Sequence, residues 1–470
     1  MQVNSAGTPQ PKRLTMLFTS DEHGAIRPAP SLQAEIDGMR QANPNGSLVI
    51  SGGDVFQGAP ESEMAHGKPA LELLPKAGYD LVTLGNHDFD YGQEFLGEWT
   101  NHATYPILSA NVRGKDGQML PGVQASIIKE MDGYKVGFIG VTTQTTPEIC
   151  LKENVKGLDF QDPVPAVKAE IQKLRDQGAN LIGLIAHTEE REEERIAAEV
   201  QGIDFILGGH THQVYKDAKV ASGVPVYRSG SSREAIGKLS IDIDPVSLRP
   251  THQDWQIIAA NSDSRHEGEV QELVDKQVKA YDKEMGVQLG FTALGLNTNY
   301  DAQGDAMDRL MAKGIALEAG TTIGFHNQKT VRSSLQEGYM TKGDTRRVFP
   351  FPNHVQRVEV SYEEMLETVR LSEQRNDHTS LFFDGLQVER DSSGLAVELR
   401  DSKGLRLPDT FAVGTTDFIG SGGLGYFKTP KEGPITRLLA DVLPNALTQM
   451  NFETEVHNGF WGIPSQVLGE

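Results

Sequence analysis

Five short apolar runs in the first half of the chain each end in residues that bind metal ions. Leu14–Thr19 leads into Ser20-Asp21-Glu22-His23-Gly24, Ser47–Ser51 into Gly52-Gly53-Asp54, and Asp80–Leu84 into Gly85-Asn86-His87-Asp88-Phe89-Asp90. Leu181–Ala186 leads into His187, and Phe205–Leu207 into Gly208-Gly209-His210-Thr211-His212. Runs of this length, partly β-branched and closed by Gly, Ser, Asp or His, read as strands. Parallel strands bring their C-terminal ends to one edge of a sheet, where open α/β folds bind ligands. Residues two apart near a strand end share a side. Asp21 with His23, and His210 with His212, are therefore expected chelating pairs, and the glycines let the backbone turn sharply beside an ion.

This yields seven candidate ligands: Asp21, His23, Asp54, Asn86, His187, His210 and His212. Seven protein ligands suit two ions sharing a bridging carboxylate rather than one. Asp54, alone at its strand end, is the expected bridge. Asp21, His23 and His212 are placed on one ion, and Asn86, His187 and His210 on the other. Mixed imidazole and carboxylate ligation favours Mn, Zn or Fe over Ca. A single thiol, Cys150, permits neither an internal disulfide nor a Cys-rich zinc site, so it is read as a small buried hydrophobe.

The formal charge of −21 over 470 residues argues against a nucleic-acid polymer or an anionic membrane as partner. A small anionic substrate stays open, because bound cations reverse the local field. No apolar run approaches the roughly 18 residues that span a bilayer. Met1–Arg13 is polar without a signal-peptide core, and Asn4–Lys12 reads as a flexible leader. The expectation is a mature periplasmic or extracellular form, with a cytoplasmic protein as the alternative.

Helical patterns at Ser31–Gln41 and Pro163–Gln177 alternate with the runs, and Val136–Val141, Val224–Arg228 and Lys238–Asp242 add strands. This is the texture of an α/β layered domain, expected over residues 1–262. In Glu267–Glu284, Val270, Val274, Val278 and Tyr281 share one helical face, so residues 263–286 are read as a connecting helix. A smaller α/β domain is expected over residues 287–470. It holds helices at Asp305–Ala319 and Tyr362–Ser372 and a hairpin over Gly385–Leu399 turning at Asp391–Gly394. The charge-dense run Glu189–Glu194 is read as a solvated helix start.

Asp21-Glu-His23, Gly52-Gly-Asp54, Gly85-Asn-His-Asp88 and Gly209-His-Thr-His212 together resemble the calcineurin-like metallophosphoesterases. Gly85-Asn-His-Asp-Phe-Asp90-Tyr-Gly92 narrows the resemblance to the 5′-nucleotidase family, with motifs in order over about residues 13–430. The resemblance implies a four-layer α/β/β/α sandwich followed by the smaller domain, and a dinuclear phosphohydrolase acting on phosphate monoesters of nucleotides. Alternatives are a 2′,3′-cyclic nucleotide phosphodiesterase or 3′-nucleotidase, a UDP-sugar hydrolase, or a phosphatase of a non-nucleotide ester. Two bridged cations activate a bound water and clamp the phosphoryl oxygens. His87 follows a ligand without being needed as one and is the expected general acid. Asp90 is its expected orienter and Asp88 the competing one; the family's catalytic pair falls on His87 and Asp90.

In the second domain the resemblance implies substrate contacts at Asn327 and Arg332 in Phe325-His-Asn-Gln-Lys-Thr-Val-Arg332, and at Phe351 and Asn353 in Phe349-Pro-Phe-Pro-Asn353. Phe418, in Thr416-Asp-Phe-Ile-Gly-Ser-Gly-Gly-Leu-Gly-Tyr426, is implied to sandwich a base together with Phe351. The chain departs from the family at Leu424, where an Asp usually holds the ribose, and at Gln328-Lys-Thr, where glycines are usual. Arg309 is the nearest equivalent of a further phosphate-binding arginine. The expected partner is a small phosphate ester, the expected assembly a monomer or homodimer.

Overall fold

The computed structural model describes residues 12–292, 306–328, 330–335, 337–351, 353–375 and 379–442. The expected leader before Lys12 and the helix start at Asp305 lie outside the described residues. The chain divides into two compact units, residues 1–278 and 279–470.

The first unit is built on two sheets. One contains β1 (Lys12–Thr19), β2 (Ser47–Ser51), β3 (Leu81–Thr83), β4 (Ile107–Leu108), β5 (Val123–Gln124), β12 (Ala235–Ile243) and β13 (Pro250–Ala259), in the order β13-β12-β1-β2-β3-β4-β5. The other contains β6 (Ser126–Met131), β7 (Tyr134–Thr142), β8 (Leu181–His187), β9 (Phe205–Gly208), β10 (Lys219–Ala221) and β11 (Val224–Tyr227), in the order β10-β11-β9-β8-β7-β6. The runs from β1 to β5 are mutually parallel, as are β7, β8, β9 and β11.

Side-chain alternation creates the layers. On β1, Leu14, Met16 and Phe18 point one way and Leu17 the other. The first three join Phe138, Leu181, Ile185, Phe205 and Leu207 in a core between the sheets. Leu17 and Val49 pack with Leu32 and Ile36 of α1 (Ala29–Ala42) and with Leu73 and Leu74 of α2 (Lys68–Ala77). Ile182 and Leu184 pack outward on Val167 and Ile171 of α3 (Pro163–Asp176) and on Ile196 of α4 (Glu190–Glu199). Helix, sheet, sheet and helix thus form the four expected layers. Local signals set the helix ends: Asp162 caps α3 by accepting from the Val164 amide, and Gly78, at φ 77°, ends α2.

The structure departs from a single shared sheet edge. β1, β2 and β3 belong to one sheet, β8 and β9 to the other. The five polar ends still meet, because both sheets present their parallel C-terminal ends to the same side. Four antiparallel strands, β6, β10, β12 and β13, extend past or lie outside the runs read as strands from the sequence. β12 is longer than Lys238–Asp242, and its partner β13 was not foreseen, since it is an edge strand rich in polar residues.

Helix α5 (Glu269–Met285) buries Val270, Leu273 and Val274 in the first unit. The second unit has a five-stranded sheet in the order Leu381–Asp384, Gly324–Asn327, Thr410–Thr416, His354–Ser361, Ile435–Leu438. Helices Ala306–Ala319 and Tyr362–Gln374 contribute Met311, Ile315, Met365 and Val369 to its cores. The hairpin Leu386–Arg390 with Ala396–Asp401 turns where expected, with the Asp391 carboxylate accepting from the Ser393 and Leu395 amides.

Candidate metal centre

The strand ends place the seven candidate ligands in one cluster. Asp21, His23 and His212 converge in one group and Asp54, His187 and His210 in a second, the donor atoms of each lying within 4.8 Å of one another. Asn86 Oδ1 lies 3.2 Å from His187 Nε2 and so joins the second group. Asp54 Oδ2 is 3.1 Å from His187 Nε2 and 4.0 Å from His23 Nε2, so this carboxylate faces both groups.

The expected pairing arises from a different geometry than strand alternation. Asp21, His23, Asp54, His210 and His212 all lie past the ends of their strands with positive φ, between 47° and 73°. Side chains other than glycine rarely adopt this region, and such strain collects where the surroundings enforce it. The enforcing bonds are visible. The Asp21 amide donates to Gly53 O and the His23 amide to Asp54 O, at 2.9 and 2.8 Å. Asp21 accepts the His210 amide at 2.9 Å. At Gly85, a Cβ would stand 2.1 Å from Asp54 Oδ1, so only glycine leaves that carboxylate its position.

The donor set is one that a cation completes. His23 Nδ1 lies 2.8 Å from Gln57 O and His187 Nδ1 2.7 Å from Gly52 O. A carbonyl only accepts, so both rings carry their proton on Nδ1 and turn Nε2 inward, the orientation metal-binding imidazoles take. Burial outweighs the nearby carboxylates at His23 and lowers its pKa to about 4, so its Nε2 is a lone pair at neutral pH. That lone pair is 2.9 Å from His212 Nε2. At His187 burial is outweighed by Asp54, and the pKa rises to about 9. Burial opposes charge on Asp54 too, yet His187, His87 and His23 hold it well below the ordinary carboxylate range. The cluster therefore attracts positive charge, and oxygen and imidazole donors fit divalent transition ions.

His87 lies at the side of this cluster, its ring centroid 5.4 Å from that of His23. Its Nδ1 is 2.6 Å from Asp90 Oδ2. Burial disfavours the imidazolium, but Asp90 and Asp54 overcome this and hold the pKa up at about 10. Asp88 is buried elsewhere, accepting from the amides of Gly85, Asp54 and Val55 at 2.8 to 3.1 Å. It fastens two ligand loops together and does not touch the His87 ring side as Asp90 does. Cys150 is buried against the apolar core, as read from the sequence, but it is more than a hydrophobe: its thiol donates to Asn86 O at 3.2 Å.

Several residues escaped the sequence reading. Glu189 Oε1 lies 3.5 Å from His210 Nε2, and the carboxylate accepts from Thr143 and Thr145 at 2.9 and 3.0 Å. Glu193 turns inward and pairs with buried Arg228. Arg233, at φ 52° and buried, donates to Ala25 O beside the Asp21 and His23 loop. The charge density of Glu189–Glu194 concealed one buried carboxylate, Glu193, and one half-exposed carboxylate, Glu189, that reaches His210. A lone arginine in a strand-to-loop segment carries no periodic signal at all.

In the second unit, the described contacts join Arg332 to Phe351 directly and Asn353 to Phe418 through Asp417, and they leave Asn327 apart from both. The Arg332 guanidinium lies 4.8 Å from the Phe351 ring centroid. Asn353 donates to Asp417 Oδ1 at 3.3 Å, and the same oxygen accepts the Phe418 amide at 2.9 Å. Asn327 uses its side chain locally, donating to Gln328 O and accepting from Thr330. Leu424 has φ 57°, and its carbonyl accepts from Arg375. Arg309 is exposed on its helix.

Fold and site together define a metal-dependent hydrolase of phosphoric esters. The model for calcineurin-like phosphoesterases matches residues 14–214, and that for the 5′-nucleotidase C-terminal domain matches residues 289–432. The chain belongs to the 5′-nucleotidase family. The 5′-nucleotidase of Vibrio cholerae is 24% identical over 88% of this chain and 86% of its own length. Endonuclease YhcR of Bacillus subtilis is 26% identical over 70% of this chain, which spans only 29% of that longer protein. The crystal structure of a 5′-nucleotidase precursor from Thermus thermophilus superposes with a TM-score of 0.75 at 22% identity, over 93% of this chain and 97% of that one. Among the described residues no helix is long and apolar enough to cross a membrane.

Proposed function

We propose that the chain hydrolyses phosphate monoesters of nucleotides, with residues 1–262 carrying the chemistry, 263–286 linking, and 287–470 selecting the substrate. The observation that carries this reading is the His87–Asp90 contact of 2.6 Å beside a cluster of seven cation ligands. Asp21, His23 and His212 would hold one divalent ion and Asn86, His187 and His210 the other, with Asp54 between them. Such a pair supplies an activated water and a clamp on the phosphoryl oxygens for in-line displacement. The chain's own acid is His87. Asp90 accepts from Nδ1, which fixes the ring and aims Nε2 outward with a proton for the leaving oxygen.

Arg332, with its planar fork, suits a phosphate, and the Phe351 and Phe418 rings suit a base. The match to the 5′-nucleotidase C-terminal domain and the relationship to the Vibrio cholerae enzyme support a nucleotide. Leu424 favours a second reading in which the chemistry is unchanged but the ester is cyclic or lacks a ribose, because a leucine side chain accepts no hydrogen bond. A nucleic-acid polymer, as the name of the Bacillus subtilis relative would suggest, is disfavoured by the charge of −21.

The test is a panel assayed with Mn and with Zn: nucleoside 5′- and 3′-monophosphates, 2′,3′-cyclic nucleotides, UDP-glucose and p-nitrophenyl phosphate. A nucleoside 5′-monophosphate is expected to give the highest kcat/KM. Turnover of p-nitrophenyl phosphate with none of any nucleotide would move the assignment to a non-nucleotide ester.

A further inference from the structure

Arg228 and Glu193 are charged residues almost wholly withdrawn from water, at 1% and 2% exposure. Their side chains meet at 2.5 Å. Arg228 lies at the end of β11 and Glu193 in the first turns of α4, so the pair ties strand to helix behind the metal cluster. Nη1 and Nη2 of Arg228 reach three further acceptors. Nη1 donates to Gly209 O and, at 2.7 Å, to Thr211 Oγ1; Nη2 reaches Thr188 O at 3.3 Å. Gly209 and Thr211 flank His210, and Thr188 follows His187. One guanidinium therefore holds the chain on both sides of one candidate ligand and directly after another. The fold makes room for it: a Cβ on Gly208 would stand 2.3 Å from Glu193 Oε1 and 2.9 Å from Arg228 Nε.

Stability does not account for such a pair. Desolvating two charges costs about what their attraction returns, and apolar replacements of buried ion pairs are often neutral or stabilising. What the pair supplies is geometry, since the planar guanidinium presents its donors in a rigid fork where a lysine offers one compact, rotatable ammonium on a flexible stem.

We propose that Arg228, braced by Glu193, is a positioning residue that sets the spacing of His187 and His210 and thereby the affinity of one of the two cations. This rests on the reading that Asp54, Asn86, His187 and His210 hold a cation. Neither residue touches that cation or the substrate. Thr188, Gly209 and Thr211 transmit the constraint; Thr188 and Gly209 border only His187 and His210, while Thr211 also precedes His212, whose group the guanidinium meets nowhere else among the described contacts.

The experiment is calorimetric titration of the metal-stripped full chain with Mn²⁺, on wild type, Arg228→Lys and the double variant Arg228→Met/Glu193→Met. Arg228→Lys keeps the charge opposite Glu193, and the double variant removes both charges, so each guards against a folding failure in the other. The wild type is expected to bind two ions. Both variants are expected to keep the wild-type circular dichroism and to bind one ion within about threefold of wild type. The other ion is expected to weaken by about 10- to 100-fold, the range for partners that orient ligands. Two ions bound at wild-type affinity in a folded variant would overturn the clamp while leaving the metal centre intact. Equal weakening of both ions would overturn its assignment to one half. A wild type that binds fewer than two ions would overturn the reading of the metal centre, and the clamp with it.

Discussion

Replacing Asp54 by Asn is expected to lower kcat by about a thousandfold or more and to leave at most one bound cation per chain. Asp54 faces both ligand groups, with Oδ2 3.1 Å from His187 Nε2 and 4.0 Å from His23 Nε2; Asp21, whose Oδ1 is 3.5 Å from His212 Nε2, comes no nearer to the ring nitrogens of the second group than 4.0 Å, at His187 Nε2. Asn keeps the size and one oxygen but removes the charge that offsets two cations. Cations in such sites supply several kcal/mol of transition-state stabilisation, and each 1.4 kcal/mol is about tenfold in rate. The backbone should tolerate the change, because Asn accepts the positive φ of 56° found at this position. Folding and metal binding are thus separable. Circular dichroism should match wild type while elemental analysis shows the lost ion, and two ions with full activity would remove Asp54 from the bridge.

The second large effect is at His87. His87→Asn is expected to reduce kcat on a nucleotide by about 10²- to 10⁴-fold, the usual weight of a general acid. Its metal content should stay at two ions, since the ring lies beside the ligand cluster and its Nδ1 is taken by Asp90. The loss should be smaller on p-nitrophenyl phosphate, whose leaving group departs without a proton. Asp90 gives a second handle. With the carboxylate present the imidazole pKa is held up, so the acid form survives to higher pH. Asp90→Asn removes that support, and the alkaline limb of the kcat profile should move to lower pH. Loss of both metals in His87→Asn would mean that His87 is a ligand, and an unmoved limb in Asp90→Asn would mean that Asp90 does not set the proton.

The legible part of this molecule was the part written locally. Asp21 with His23, Asn86 with His87 and Asp90, and His210 with His212 are each contained in a few residues after an apolar run, so spacing alone singled them out. The structure brings these residues together. Composition also carried over: with one buried cysteine, the cluster had to be made of imidazole, carboxylate and amide.

What stayed hidden depends on distant partners. Periodicity shows that β3 and β8 are strands, but it does not show that they lie in different sheets. The positive φ of five ligand residues is imposed by bonds such as the Ser232 amide to Asp21 O at 2.7 Å, across more than two hundred positions. Glu193 looked like one more solvated acid until Arg228, 35 residues on, accounted for its burial. β13 opens on the consecutive polar run Thr251–Asp254, which suits an edge strand and shows no period-2 hydrophobic signal.

The central claim is that seven side chains from two sheets hold two cations with Asp54 between them. Anomalous diffraction from crystals grown with Mn²⁺ tests it most directly. The expected result is two peaks about 3.5–4 Å apart, one among Asp21, His23 and His212, the other among Asn86, His187 and His210, both touching Asp54 and neither touching His87. A single peak, or a peak bound by His87, would contradict it.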